Sequence, residues 1–112
     1  MDGTRLNKVN RQILKDLGEI FQRQSQTVFQ GRMITVTAVR VSPDLGIAKV
    51  YLSIFPNNSK DEVFALVKTN VKTIRHELAQ RIKNQMRIVP ELLFYIDDSL
   101  DYIENIDRLL KE

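Results

Sequence analysis

Fourteen residues, Met86-Arg87-Ile88-Val89-Pro90-Glu91-Leu92-Leu93-Phe94-Tyr95-Ile96-Asp97-Asp98-Ser99, constrain the fold of this chain more than any others. Pro90 biases Val89 away from helical geometry, so a helix arriving from upstream has to end before it. Leu92, Phe94 and Ile96 then alternate with Leu93 and Tyr95, the period of a strand. Asp98 or Ser99 offers an N-cap to the apolar-periodic run that follows. The same segment divides the chain electrically.

Residues 1–90 carry 15 Lys and Arg against 7 Asp and Glu, whereas residues 91–112 carry 2 against 7. The net charge of +3 hides that split. Clustered base of this kind is the footprint of a polyanion binder, although long basic side chains that merely solvate a surface give the same composition. A length of 112 residues, 43% of them hydrophobic, suits a single domain spanning 1–112 with its core over about 4–110. With no Cys there is no disulfide, no thiolate metal site and no cysteine nucleophile, which fits a reducing compartment. No apolar run approaches the roughly 20 residues needed to span a bilayer, and Met1 to Arg5 lead into a polar helix instead of an apolar signal core. A cytoplasmic protein with no membrane contact is expected.

Thr4 can cap a first helix over about residues 5–25, in which Leu6, Val9, Ile13, Leu17, Ile20 and Phe21 form one apolar stripe. Met33 to Val41 is rich in β-branched residues and reads as a strand whose inward face is ambiguous, since both phases are partly apolar. Ser42-Pro43-Asp44-Leu45-Gly46 reads as a turn: Pro43 presets φ, Asp44 can bond its own backbone, and Gly46 is expected to take positive φ. Ala48 to Phe55 returns as a strand, with Ala48, Val50, Leu52 and Ile54 on one face and Lys49, Tyr51, Ser53 and Phe55 on the other, completing a β-hairpin. Ser59 with Glu62 resembles a capping box for a long helical pattern (Val63, Val67, Val71, Ile74, Leu78, Ile82) that is expected to reach about residue 85, continuous or bent. After the third strand, Leu100, Ile103, Ile106, Leu109 and Leu110 predict a closing amphipathic helix. The order α-β-β-α-β-α points to an α+β fold with helices over one face of a three-stranded sheet.

Catalytic chemistry is hard to find. His76 is the one histidine, with no second His or Cys to complete a metal site. Asp97 and Asp98 are adjacent acids, but they stand where a helix is predicted to begin, and acids favour that end of the helix dipole. The four glycines are scattered and form no phosphate loop. No enzyme activity, cofactor or metal is expected. The cations are more informative. Arg5, Lys8, Arg11 and Lys15 lie off the apolar stripe of the first helix, and Lys68, Lys72 and Arg75 recur at i, i+4 and i+7, which predicts a stripe on one exposed face. Arg81, Lys83 and Arg87 lie beyond. Phosphate contacts need several such donors in reach. Phe21, Phe55, Phe64 and Phe94 are read as core residues, not as a stacking platform, so the shape of structured RNA is a better target than unstacked bases.

Two blocks carry a family resemblance. Val39-x-Val41-Ser42-x-Asp44-Leu45-x-x-Ala48-Lys49-Val50-Tyr51 resembles the hairpin signature of bacterial ribosome-binding factor A. Ile74-Arg75, then Arg87-Ile88-Val89-Pro90-Glu91-Leu92-x-Phe94-x-x-Asp97-x-Ser99, resembles its C-terminal signature. The resemblance implies a type-II KH-like fold, α-β-β-α(-α)-β-α, without a Gly-x-x-Gly loop. It implies a non-catalytic assembly factor that binds the small ribosomal subunit and its ribosomal RNA during late maturation and processing, and that is important in cold adaptation. Ribosomal proteins or other assembly factors are further candidate partners, and a monomer is expected off the ribosome. Where the family has an Ala-x-Gly interruption, this chain has Asn70-Val71-Lys72, and the stretch from Arg75 to Arg87 is about two residues longer than expected. Lys68, Lys72 and Arg75 are the first candidates for phosphate contact, then Arg5, Lys8, Arg11 and Lys15, then Arg81, Lys83 and Arg87. Pro43, Asp44, Pro90, Asp97 and Ser99 are read as fold determinants. A general KH-like nucleic-acid module remains open, as does a protein-interaction module using Asp101, Glu104 and Asp107 of the closing helix.

Overall fold

The structure, a computed structural model, describes residues 3–55 and 60–97. The capping side chains expected at Thr4, Ser59, Asp98 and Ser99, and the closing helix with Asp101, Glu104 and Asp107, lie outside the described residues. Six elements follow in order: α1 (Gly3–Gln24), β1 (Met33–Val41), β2 (Ile47–Phe55), α2 (Lys60–Thr69), α3 (Val71–Ile82) and β3 (Glu91–Ile96). The sheet order is β1-β2-β3. β1 and β2 pair antiparallel through their hairpin, while β2 and β3 pair parallel, so α2 and α3 form the crossover between them.

The alternating apolar residues of the strands explain why the helices gather on one face. Ala48, Val50, Leu52 and Ile54 of β2 and Leu92 and Phe94 of β3 join the stripes of α1 (Ile13, Leu17, Ile20, Phe21), α2 (Val63, Val67) and α3 (Ile74, Leu78, Ile82) in one core. The long helical pattern divides at Asn70, and its second part ends at Ile82, short of the expected residue 85.

The ambiguous phase of β1 has a structural cause. Ile34 and Val36 point inward, and so do Val39 and Val41, an offset that no regular strand allows. A β-bulge reconciles them: Val36 pairs with Leu52 and Ala38 with Tyr51, so Thr37 is the extra residue and, with Ala38, opposes Tyr51. The Thr37 hydroxyl donates to the Asp97 carboxylate at 2.6 Å, and the Asp97 N–H donates to the Leu52 carbonyl at 2.7 Å. Asp97 therefore ties the end of β3 back to the bulge, a contact that makes it a determinant of the fold.

In the hairpin turn the left-handed residue is Leu45, at φ 62°, not Gly46. Asp44 sets the geometry, its carboxylate accepting from the Ser42 hydroxyl at 2.7 Å and from the Gly46 N–H at 3.0 Å. A Cβ at Gly46 would stand 3.3 Å from the Asp44 carboxylate, a tight contact that would press on the group setting the turn. The Gly46 carbonyl also receives the N–H of Glu91, which starts β3 against the turn.

Two phenylalanines exchange the roles the sequence suggests. Phe55 is 65% exposed and lies outside the core, because odd-numbered β2 positions face away from the helices. Phe29, in the polar stretch after α1, is fully buried, its ring 5.6 Å from that of Phe21, which in turn meets Phe94 edge-on at 6.0 Å. Gln30 and Gly31, at φ 57° and 78°, turn the chain from Phe29 into β1.

Candidate nucleic-acid interface

The helical layer carries most of the predicted cations, and the pairing of α1 with α3 decides how they are arranged. Arg81 of α3 bridges Asp16 and Glu19 of α1, while Glu77, one turn earlier on α3, bonds Arg23 and Gln24 at the far end of α1. The two helices therefore run antiparallel. The bond with Glu19, joined by the charges of Glu19 and Asp16, raises the Arg81 pKa above its ordinary value and keeps it ionised. All three acids of α1 and α3 are engaged in these contacts.

Lys8, Arg11 and Lys15 are exposed, spaced three and four apart on the side of α1 away from its buried stripe. The antiparallel register sets them beside the C-terminal end of α3, where exposed Lys83 and Arg87 follow Ile82. Arg5 is exposed one turn earlier on α1. Lys72, in the first turn of α3, and Lys68, in the last turn of α2, lie at the opposite end of α3: nine residues separate Lys72 from Arg81, about 14 Å of helix. The cations thus form two groups, one at each end of the layer.

The expected stripe of Lys68, Lys72 and Arg75 does not exist as one face of one helix, because α2 stops at Thr69. Asn70 adopts φ −100° and ψ 15°, a backbone open to any L-residue, so the interruption needs no glycine. Its side-chain amide donates to the Leu66 carbonyl at 2.7 Å, and its N–H approaches both Leu66 and Val67 carbonyls at 3.1 Å. Asn70 thereby closes the C-terminal end of α2 before α3 begins. Lys68 lies over the half-buried Phe64 ring, 4.8 Å from its centroid, with its chain still exposed.

Arg75 and Arg81 have structural partners. The Arg75 guanidinium donates from Nε to the Pro90 carbonyl at 3.0 Å and from a terminal nitrogen to the Val89 carbonyl at 2.6 Å. Arg81 is the strut between α3 and α1 described above. Neither engagement is readable from spacing, since their partners lie 14 to 15 and 62 to 65 residues away.

Sequence reasoning missed a further cationic pair. Arg40 and Lys49 are register partners on β1 and β2 and are both exposed, on the sheet face away from the helices. The alternation of β2 places Lys49 there, and the bulge places Arg40 opposite it. No group of three or more His, Cys, Asp or Glu side chains is gathered for a metal among the described residues. A groove of about 630 Å³ between α1 and β1 is lined by Leu14, Ile34 and Val36 among others; exposed His76 is not among its residues. None of the described helices is long and apolar enough to cross a membrane.

Comparison with known proteins shows what kind of domain carries this surface. The family described as Ribosome-binding factor A matches residues 5–110. The chain belongs to that family. A Cytophaga hutchinsonii ribosome-binding factor A is 41% identical over 112 residues, the whole of this chain and 84% of the relative. A Flavobacterium psychrophilum ribosome-binding factor A is 45% identical over 111 residues, covering 98% of this chain and 85% of the relative. Among solved structures, the ribosome-binding factor A crystal structure from Thermus thermophilus superposes with a TM-score of 0.68 at 24% identity, over 81% of this chain and 94% of that one, which shows the fold. A Thermus thermophilus ribosome-binding factor A fitted into a cryo-EM map of a 30S complex gives a TM-score of 0.61 at 25% identity, over 80% of this chain and 91% of that one. The α-β-β-α-α-β arrangement is the KH-like fold of this family, with an Asn-centred helix junction and no Gly-x-x-Gly loop.

Proposed function

We propose that this protein is a cytoplasmic ribosome assembly factor that binds the small subunit and its ribosomal RNA during late maturation and processing. The observation that carries the proposal is the family match over residues 5–110, with a similar chain seated in a 30S complex. The electrostatics support it: the acids of α1 and α3 are spent on Arg23, Gln24 and Arg81, which leaves Lys8, Arg11, Lys15, Lys83 and Arg87 at one end of the layer and Lys68 and Lys72 at the other to meet phosphates. Arg5 extends the first group. Arg75 and Arg81 contribute charge while holding the fold. Such contacts read backbone shape and supply affinity, as structured RNA requires. The role matters most in the cold, where misfolded RNA helices persist.

Co-sedimentation with immature small subunits tests this. Lys8→Glu/Arg11→Glu/Lys15→Glu and Lys68→Glu/Lys72→Glu, each with an unchanged circular dichroism spectrum, are expected to weaken binding and to flatten its salt dependence by roughly one log–log unit per lost phosphate contact. Parental binding by both variants refutes the surface. Equal displacement by unrelated duplex RNA favours a general nucleic-acid module.

A further inference from the structure

The alternation of β2 and β3 puts aromatic side chains on the face of the sheet that no described helix covers. Phe55 and its register partner Met33 are 65% and 61% exposed there. Four residues back along β2, Tyr51 stacks with Tyr95 of β3, ring centroids 5.4 Å apart, and Tyr95 is itself 40% exposed. Ala38, the register partner of Tyr51, adds no bulk beside these rings. A contiguous row of exposed rings marks a surface that meets something besides water.

The next row of the same face is cationic. Arg40 and Lys49 are register partners, an arrangement in which like charges repel. Among the described residues neither forms an ion pair, and the Arg40 guanidinium donates to the neighbouring Val39 carbonyl at a long 3.4 Å. A hollow of about 260 Å³ lies at this pair and is lined also by Ser42 and Ile47. The acids of this face do not neutralise it. The Asp97 carboxylate accepts from the Thr37 hydroxyl at 2.6 Å, and Glu91 stands beside Ile47, two strands away from Arg40. An anion held between Arg40 and Lys49 would turn their repulsion into attraction.

We propose that this face binds an unpaired stretch of RNA, with a phosphate in the hollow between Arg40 and Lys49 and bases stacked on the Tyr51–Tyr95 pair and on Phe55. Rings that accept any base, beside cations that hold the backbone, are the means by which single strands are bound without sequence preference. The lengths agree. Lys49 to Phe55 is six residues of strand, about 20 Å, which accommodates roughly six nucleotides at the spacing of a stacked strand. The rings favour nucleic acid over an acidic peptide, whose carboxylates would engage Arg40 and Lys49 and leave the aromatic row without a stacking partner. The site goes beyond the proposed function. It lies on the face opposite the helical layer and uses none of the cations assigned there, so either can fail alone.

The test uses the full chain with an unstructured octaribonucleotide, an abasic ribose-phosphate oligomer of the same length, and octaglutamate. The chain has three Tyr and no Trp, so in a Tyr102→Phe background the tyrosine emission comes from Tyr51 and Tyr95. The octanucleotide is expected to quench that emission and to bind at least about tenfold more tightly than the abasic oligomer. Tyr95→Leu and Phe55→Ser should each weaken it about fivefold or more, which corresponds to about 1 kcal/mol per stacked base. Phe55→Ser, at a side chain 65% exposed, carries the comparison if Tyr95→Leu unfolds the domain. Arg40→Gln/Lys49→Gln should flatten the salt dependence by roughly 0.7 log–log unit per lost contact. Equal binding of the abasic oligomer, an unquenched emission, an unchanged salt slope, or parental affinity in the folded ring variants overturns the proposal. Octaglutamate bound as tightly as the octanucleotide also overturns it, and assigns the face to an acidic protein.

Discussion

Replacing Arg75 should unfold the protein more easily before it affects any ligand. Pro90 holds Val89 out of helical geometry, and residues 86–90 belong to neither α3 nor β3. Their carbonyls therefore need partners from outside regular structure. Arg75 gives two, its planar fork reaching the carbonyls of Pro90 at 3.0 Å and Val89 at 2.6 Å. A partly buried hydrogen bond from a charged donor contributes about 1.5–3 kcal/mol, and the first bond is of that kind. The second is exposed, where water substitutes readily, and adds at most about 1 kcal/mol. Arg75→Ala is therefore expected to cost about 2 kcal/mol, which for a domain near this size lowers Tm by roughly 8 °C. Arg75→Lys should recover less than half, because an ammonium cannot present two parallel N–H groups. Urea and thermal unfolding followed by circular dichroism measure both, with an unchanged urea m-value confirming that the native state is what changed. A Tm for Arg75→Ala within about 1 °C of the parent would refute the strut.

Three further outcomes are expected. Asn70→Ala removes the side-chain bond to the Leu66 carbonyl and should cost about 1 kcal/mol in urea unfolding; an unchanged midpoint would show that the bond is idle. The Ser42 hydroxyl first, and then the Gly46 N–H, hold the Asp44 carboxyl below its ordinary pKa, so its stabilising effect is complete above the unfolded value near 4 and is lost as pH falls through the lower folded value. The stability gap between the parent and Asp44→Asn should accordingly shrink as pH is lowered from about 5 toward 2, and a gap independent of pH contradicts the assignment. Phe29→Ala, emptying a fully buried site beside Phe21, should cost about 3–5 kcal/mol, whereas Phe55→Ser should stay within about 0.5 kcal/mol, measured side by side by thermal melts.

The parts of the fold that depend on local periodicity were readable in advance. Met33–Val41 ends where the β-branched run ends, and β2 and β3 start only one residue earlier than their alternation suggests. What escaped depends on contacts distant in sequence. The inward face of β1 changes at Thr37, so no single phase could describe it. Phe29 and Phe55 exchanged places because burial is decided by which face of the sheet the helices cover. The family resemblance tied the helix junction to a glycine that this chain lacks, which left a bend open, yet Asn70 achieves the junction with an allowed backbone and a side-chain bond to Leu66. For the candidate surface, exposure of Lys8, Arg11 and Lys15 followed from helical spacing. The engagement of Arg81 by Asp16 and Glu19 could not, since it requires the antiparallel docking of α1 on α3.

The parallel pairing of β2 with β3 has a consequence during synthesis. The hairpin is complete once residue 55 has emerged, but the strand that covers its second edge ends at residue 96. For about forty residues of elongation, two to eight seconds at bacterial speed, Ile47–Phe55 offers a bare ladder edge with an apolar side chain at alternate positions. A nascent chain stalled in that interval is a template for strand exchange with its neighbour on the same messenger. Rapid formation of α2 and α3, whose contacts are local, shortens the search that brings Glu91–Ile96 home.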